Sequence, residues 1–290
     1  MMRRAAGLLA VAILKGIARL PIPLVLACGI PLIPVYLALR PRMWKRLRKA
    51  APTSRQAPAF PVRYYGMRLR LVLLSLRHLR GLPDGCTHVV ENTDLYHAAL
   101  RTGKPVVLLG WHQGPVELLH RIPHAAPEAA NRFKVLMTAG AFAPALAGFL
   151  YAGRAVDGKL IARPGDKTAL RRWERERGIL AVMVDQVPGL PDAWSELESG
   201  LEIPWPRRLM EWLEARDPVF LAVSVRWEAG DRILFRFDDI APCASSSSSL
   251  AHDPEGRNAL RDRLGPVMSE SLRRAPEQYN WSYGKIGVAR

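Results

Sequence analysis

No aspartate or glutamate occurs in the first 83 of the 290 residues. Sixteen of the 42 lysines and arginines fall in that stretch, and the other 26 match the 26 acidic side chains downstream. The entire excess of +16 thus sits in the N-terminal quarter of the chain. Cysteine is scarce as well. Cys28, Cys86 and Cys243 have neither CxxC nor metal-ligand spacing, which excludes a disulfide framework and suits a reducing compartment. The seven histidines (His78, His88, His97, His112, His120, His124 and His252) also lack ligand spacing, so no metal site and no cofactor is expected. There is no G-x-S-x-G elbow, which argues against a serine hydrolase, and no internal repeat.

What the basic quarter does have is long aliphatic runs. Residues 5–19 read as an amphipathic helix, and residues 20–39 carry no charge at all. Twenty apolar residues are long enough to span a bilayer. However, Pro21, Pro23, Pro31 and Pro34 disfavour a straight helix, so a kinked, shallowly inserted anchor stands beside a true span. The basic cluster 40–49 follows where a cleaved signal peptide would show a polar mature start, and on the positive-inside rule it stays cytoplasmic. Arginines broken up by aliphatic runs suit an anionic bilayer surface and not nucleic acid. Residues 1–50 are therefore expected to form a membrane-anchoring helical segment, with 51–290 as the main domain behind the Pro-rich linker 51–61.

Residues 62–82 have Leu69, Val72, Leu73, Leu76 and Leu79 at helical spacing, which predicts an Arg-studded helix. Beyond it, apolar runs at 106–110, 133–137, 179–184, 219–226 and 232–237 predict strands. Helices are expected at 115–119, 141–151, 167–177, 206–215 and 254–274, with a serine-rich loop at 245–249. Short buried strands separated by helices predict an α/β fold with a mostly parallel central sheet flanked by helices. Trp111 and Trp205 are expected to pack, not to react.

The segment 102–120, TGKPVVLLGWHQGPVELLH, holds His112 and Glu117 in an H-x4-E spacing. On one continuous helix those side chains would stand about 140° apart. The spacing works if His112 lies in a loop after the strand and a helix starts at Pro115, since proline favours the first helical position and Gly114 supplies the turn. Glu117 then sits in the first turn and reaches back, and the unpaired N–H groups there can meet a developing oxyanion. Taken alone, the spacing describes a capped helix start with a hydrogen-bonded histidine equally well.

The stretch GKPVVLLGWHQGPVELL resembles the catalytic block of the lipid A biosynthesis (lauroyl/myristoyl) acyltransferase family. Residues 178–186, GILAVMVDQ, are similar to that family's apolar strand ending in Asp-Gln, here Asp185 and Gln186. Residues 276–283, PEQYNWSY, are similar to its C-terminal Pro-x-Gln-aromatic-x-Trp signature. The blocks occur in the family's order across residues 20–285. The resemblance implies a glycerolipid-acyltransferase-like fold with an N-terminal membrane-binding extension. It also implies transfer of a fatty acyl group from an acyl carrier protein (or CoA) thioester to a hydroxyl of a lipid or glycolipid acceptor. The place implied is the cytoplasmic face of the bacterial inner membrane.

His112 is then the general base and Glu117 the acid that orients it, with Arg154, Asp185 and Gln186 as substrate-binding candidates. The acidic carrier protein would dock on the Arg-rich helix 62–82. The sequence departs from the family at Gln113, where an aromatic is usual, and at Pro115 and Val116 in place of Asn-Trp. Beyond Asp-Gln it lacks the usual Phe-Phe-Gly turn. Those departures leave the acceptor open. A lysophospholipid, an ornithine lipid or a polyene lipid stands beside lipid A, as does a non-catalytic membrane-associated scaffold.

Overall fold

The computed structural model describes residues 12–50, 58–79, 82–83, 85–116, 118–119, 122, 133–136, 161–162, 167–185, 193–197, 201–229, 231–240, 259–281 and 285–286. Among these, ten strands and eight α-helices have definite bounds. The strands are β1 (Thr87–Glu91), β2 (Val106–Gly110), β3 (Phe133–Leu136), β4 (Ile161–Ala162), β5 (Ile179–Met183), β6 (Ala193–Glu196), β7 (Leu201–Trp205), β8 (Val219–Glu228), β9 (Arg232–Asp239) and β10 (Lys285–Ile286). The helices are α1 (Ile22–Gly29), α2 (Ile33–Ala38), α3 (Pro41–Ala50), α4 (Phe60–Leu79), α5 (Thr93–Arg101), α6 (Lys167–Arg175), α7 (Arg207–Glu214) and α8 (Ala259–Arg274).

A seven-stranded sheet runs in the order β1-β9-β8-β2-β5-β3-β4. From β8 to β4 the pairings are parallel. β9 turns back antiparallel on β8, and β1 runs parallel to β9. The fold is thus α/β with a mixed, mostly parallel sheet. Every residue of β2 is buried, as expected of a central strand covered on both faces. Alternate residues divide between two cores. Val107, Leu109, Leu180 and Val182 face Leu260, Leu264, Met268 and Leu272 of α8, a four-residue repeat that keeps one helix face against the sheet. Val106, Leu108, Ile179 and Ala181 face the opposite side with Tyr96 of α5. β6, β7 and β10 form a separate small antiparallel sheet.

The apolar stretch 20–39 is broken into α1, a 3₁₀ turn at Ile30–Leu32, and α2. Prolines sit in the first turn of each piece, where no helical N–H is lost. Among the described residues no helix is long and apolar enough to cross a membrane. Instead the pieces lie against α4, burying Ile33 and Leu37, while Ile22 packs beside Leu71, Leu74 and Trp227. Leu47 of α3 joins the main core. The outer side stays apolar: Leu32, Val35 and Leu39 are 64%, 60% and 77% exposed.

Arg77 holds the start of this assembly, donating from Nη1 to Leu20 O (3.3 Å) and from Nε to Pro83 O (2.9 Å). Arg70 stacks its guanidinium 4.6 Å from the centre of the Trp227 ring. Two arginines of the helix expected to dock the carrier protein, Arg70 and Arg77, are thus engaged with other parts of this chain. On α3 the exposed Arg42, Lys45 and Arg48 recur every three residues and form a basic stripe.

The elements at 106–110, 133–136, 167–175, 179–183, 207–214, 219–228 and 232–239 fall where the sequence pattern puts them. After Pro115 the chain takes a 3₁₀-type turn in place of the expected α-helix, with Leu118 N–H bonded to Pro115 O at 2.9 Å. The expected helix at 141–151 and the serine-rich loop lie outside the described residues.

Candidate active site

Strands β2 and β5 are parallel neighbours whose last residues, Gly110 and Met183, are register partners. Two residues beyond each end stand His112 and Asp185. The sheet register therefore brings the histidine to the aspartate, in the crevice at the carboxyl ends of parallel strands where α/β sheets place their chemistry. Val184 N–H bonds Gly110 O at 2.9 Å and keeps the two loops level.

His112 Nδ1 lies 2.8 Å from Asp185 Oδ1, and His112 N–H donates to Asp185 Oδ2 at 2.9 Å. The Asp185 side chain is fully buried and the imidazole is 16% exposed. Both carboxylate oxygens are met by donors, the condition under which a charge is tolerated away from water. A carboxylate at Nδ1 puts the ring proton there and makes Nε2 the basic nitrogen.

The expected orienting acid was Glu117. It lies outside the described residues, as do Arg154 and Gln186, while Asp185, expected to bind substrate, is the carboxylate against His112 Nδ1. The oxyanion donors expected in the first turn after Pro115 include the N–H of Glu117, outside the described residues, and the N–H groups of 112–114 ahead of it are all bonded within the protein. His112 N–H goes to Asp185, Gln113 N–H to Trp111 O (2.8 Å), and Gly114 N–H to Gln278 O (3.1 Å). Gly114 has φ +65°, and a Cβ there would run into the Val225 carbonyl of β8, so only glycine fits.

The loop is held from a third side that the sequence reading missed. Gln113 is fully buried. Its Oε1 accepts from Trp111 Nε1 (2.8 Å) and Ser271 Oγ (2.7 Å). Its Nε2 donates to Ser271 O (2.8 Å) and Ala275 O (3.0 Å) at the end of α8. The 3₁₀ turn Pro276–Gln278 and the residues after it lie alongside, and Asn280 N–H donates to His112 O at 2.8 Å. The signal for this in the sequence was the PEQYNW block, which carries a polar Gln278 among residues destined for the core. Arg226, behind Gly114 on β8, is also buried. Desolvation first, then the nearby Arg274, holds its guanidinium below the usual arginine range.

Trp111 and Trp205 are buried in the main core, as expected. Among the described residues no His/Cys/Asp/Glu group could hold a metal ion. No protein-family model and no curated protein matches the chain.

Proposed function

We propose that this protein is an acyltransferase of the membrane surface. It moves a fatty acyl group from an acyl carrier protein (or CoA) thioester to a hydroxyl of a lipid or glycolipid acceptor. The observation that carries the reading is the His112 Nδ1–Asp185 contact at the carboxyl ends of β2 and β5. It is supported by the resemblance of the three sequence blocks that meet there. In the proposed step the acceptor O–H gives its proton to His112 Nε2, and the oxygen attacks the thioester carbonyl. The tetrahedral intermediate collapses with expulsion of the thiolate, which takes the proton back from the imidazolium. Asp185 fixes the tautomer and stabilises the imidazolium. By resemblance Glu117 is the acid of the H-x4-E pair, and Arg154 and Gln186 bind substrate.

The membrane part of the reading rests on adjacency. α1 and α2, with their exposed apolar side chains, pack on α4, and α2 also contacts α3, which carries the exposed Arg42, Lys45 and Arg48. Apolar insertion combined with cationic contact to lipid phosphates is what an anionic leaflet rewards. The implied place is the cytoplasmic face of a bacterial inner membrane, and the glycerolipid-acyltransferase-like topology belongs to the same proposal.

The test is purified protein in detergent, given acyl carrier protein loaded with mixed acyl chains together with total bacterial lipid. The expected result is thioester loss matched by one acyl-mass gain on a single lipid class, with His112→Ala lowering the rate about 10²–10⁴-fold. Retention of a tenth of the wild-type rate by His112→Ala would remove the histidine as base. No mass gain on any lipid would favour the scaffold reading.

A further inference from the structure

We infer that Gln113 and Gln278 are positioning residues for His112, an inference that rests on the proposed role of that histidine. The two amides close the site on the sides that Asp185 does not reach. Strand β2 pairs with β8 only as far as Leu109↔Ala222. Farther along β8 the backbone of Trp227 meets the Gln278 side chain instead. Trp227 N–H donates to Oε1 and Nε2 donates to Trp227 O, both at 2.7 Å. One side-chain amide thus does for Trp227 what a neighbouring strand would do. The backbone carbonyl of the same glutamine accepts from Gly114 N–H. Gln278 therefore ties the loop to β8.

Gln113 ties it to α8, where the Ser271 and Ala275 carbonyls, which accept from Ala275 N–H and Gln278 N–H, each take a second hydrogen bond from its amide. Its four hydrogen bonds use every donor and acceptor of the amide. An aromatic at this place packs without such directional bonds; an amide fixes orientation. The imidazole is held by Asp185 only if the backbone between Trp111 and Gly114 stays in place, and these two side chains set it. Neither reaches the ring itself, so both act through the loop.

The test uses Gln113→Met and Gln278→Met, which keep side-chain length and remove the hydrogen bonds, in the full chain labelled with ¹⁵N-histidine. The wild type should show an exchange-protected Nδ1–H proton for His112, identified by its absence in His112→Ala. Each methionine variant should lose or broaden that signal. In the transfer assay turnover should fall about 10²-fold with the Michaelis constant little changed, the cost of misplacing a reacting group by about an ångström. If a methionine variant does not fold, Gln278→Glu keeps the acceptor for Trp227 N–H and removes the donor alone. Folded variants that keep the Nδ1–H signal overturn the inference, whatever the assay gives. Loss of the signal in the variants alongside a wild type that transfers nothing would sink the acyl-transfer reading and leave the positioning role standing.

Discussion

A buried carboxylate at Nδ1 is what the proposed mechanism needs to direct the histidine as a base, and its removal is a test at the scale of one atom. Asp185→Asn preserves shape and the acceptor for His112 N–H, but it offers the ring either a donor or a weaker, neutral acceptor. We expect transfer to fall about 10²–10⁴-fold, with His112→Ala/Asp185→Asn no worse than His112→Ala alone, because the two side chains act as one unit. Multiplicative losses in steady-state rates would place Asp185 in an independent role. His112 was legible in the sequence as a histidine in a glycine-bounded loop after an apolar strand. The partner across 73 positions was legible only as a strand-end acid. Pairing it with His112 requires the β2–β5 register, which a single strand pattern does not contain. Gln113 stood out in the sequence as an unusual residue. That its amide would be saturated by α8 depends on a helix 158 positions away.

At the scale of elements, the central strands were readable because a strand buried on both faces is apolar at every position, as β2 is. The same pattern does not mark β1, a reversed edge strand that ends in an acid, or the antiparallel pair β6 and β7, where Glu196, Glu202 and Pro204 blur the alternation. α7 carries a conflict that pH can expose. Glu214 closes the helix, where a negative charge opposes the dipole, and burial raises its carboxyl above the usual range. Arg263 draws it back down and Glu211 pushes it up. Since the folded state favours the neutral form, this group's contribution to stability is fully present below the unfolded pKa. It is lost as pH rises through the raised folded value. Glu214→Gln should therefore raise the melting temperature at pH 7 by about 1–2 °C and leave it unchanged near pH 3–4. Thermal scans at the two pH values check this; an equal gain at both would show that charge is not the cause.

For the molecule as a whole, the exposed apolar pieces α1 and α2 and the basic helix α3 gather on one assembly around α4. Charge reversal at Arg42, Lys45 and Arg48 should weaken binding to anionic vesicles by about 1 kcal/mol per residue, an effect that fades as salt rises. Leu32→Ser/Val35→Ser/Leu39→Ser should weaken binding at every salt concentration if, as proposed, those exposed side chains insert. Vesicle co-sedimentation across ionic strength separates the two contributions. The site itself draws on both distant parts of the chain. Tyr64 of α4 reaches Asn280 Oδ1 at 3.5 Å, and Phe60 stacks edge-on with Trp281 at 6.4 Å between centroids. Chain order gives this closure a consequence in time. A nascent polypeptide that has emerged only as far as α8 already holds its histidine and aspartate, yet lacks the turn Pro276–Gln278 that ties the loop to β8. A message truncated ahead of Pro276 would therefore yield a chain in which Gly114 N–H and His112 O have lost the backbone partners that Gln278 and Asn280 supply.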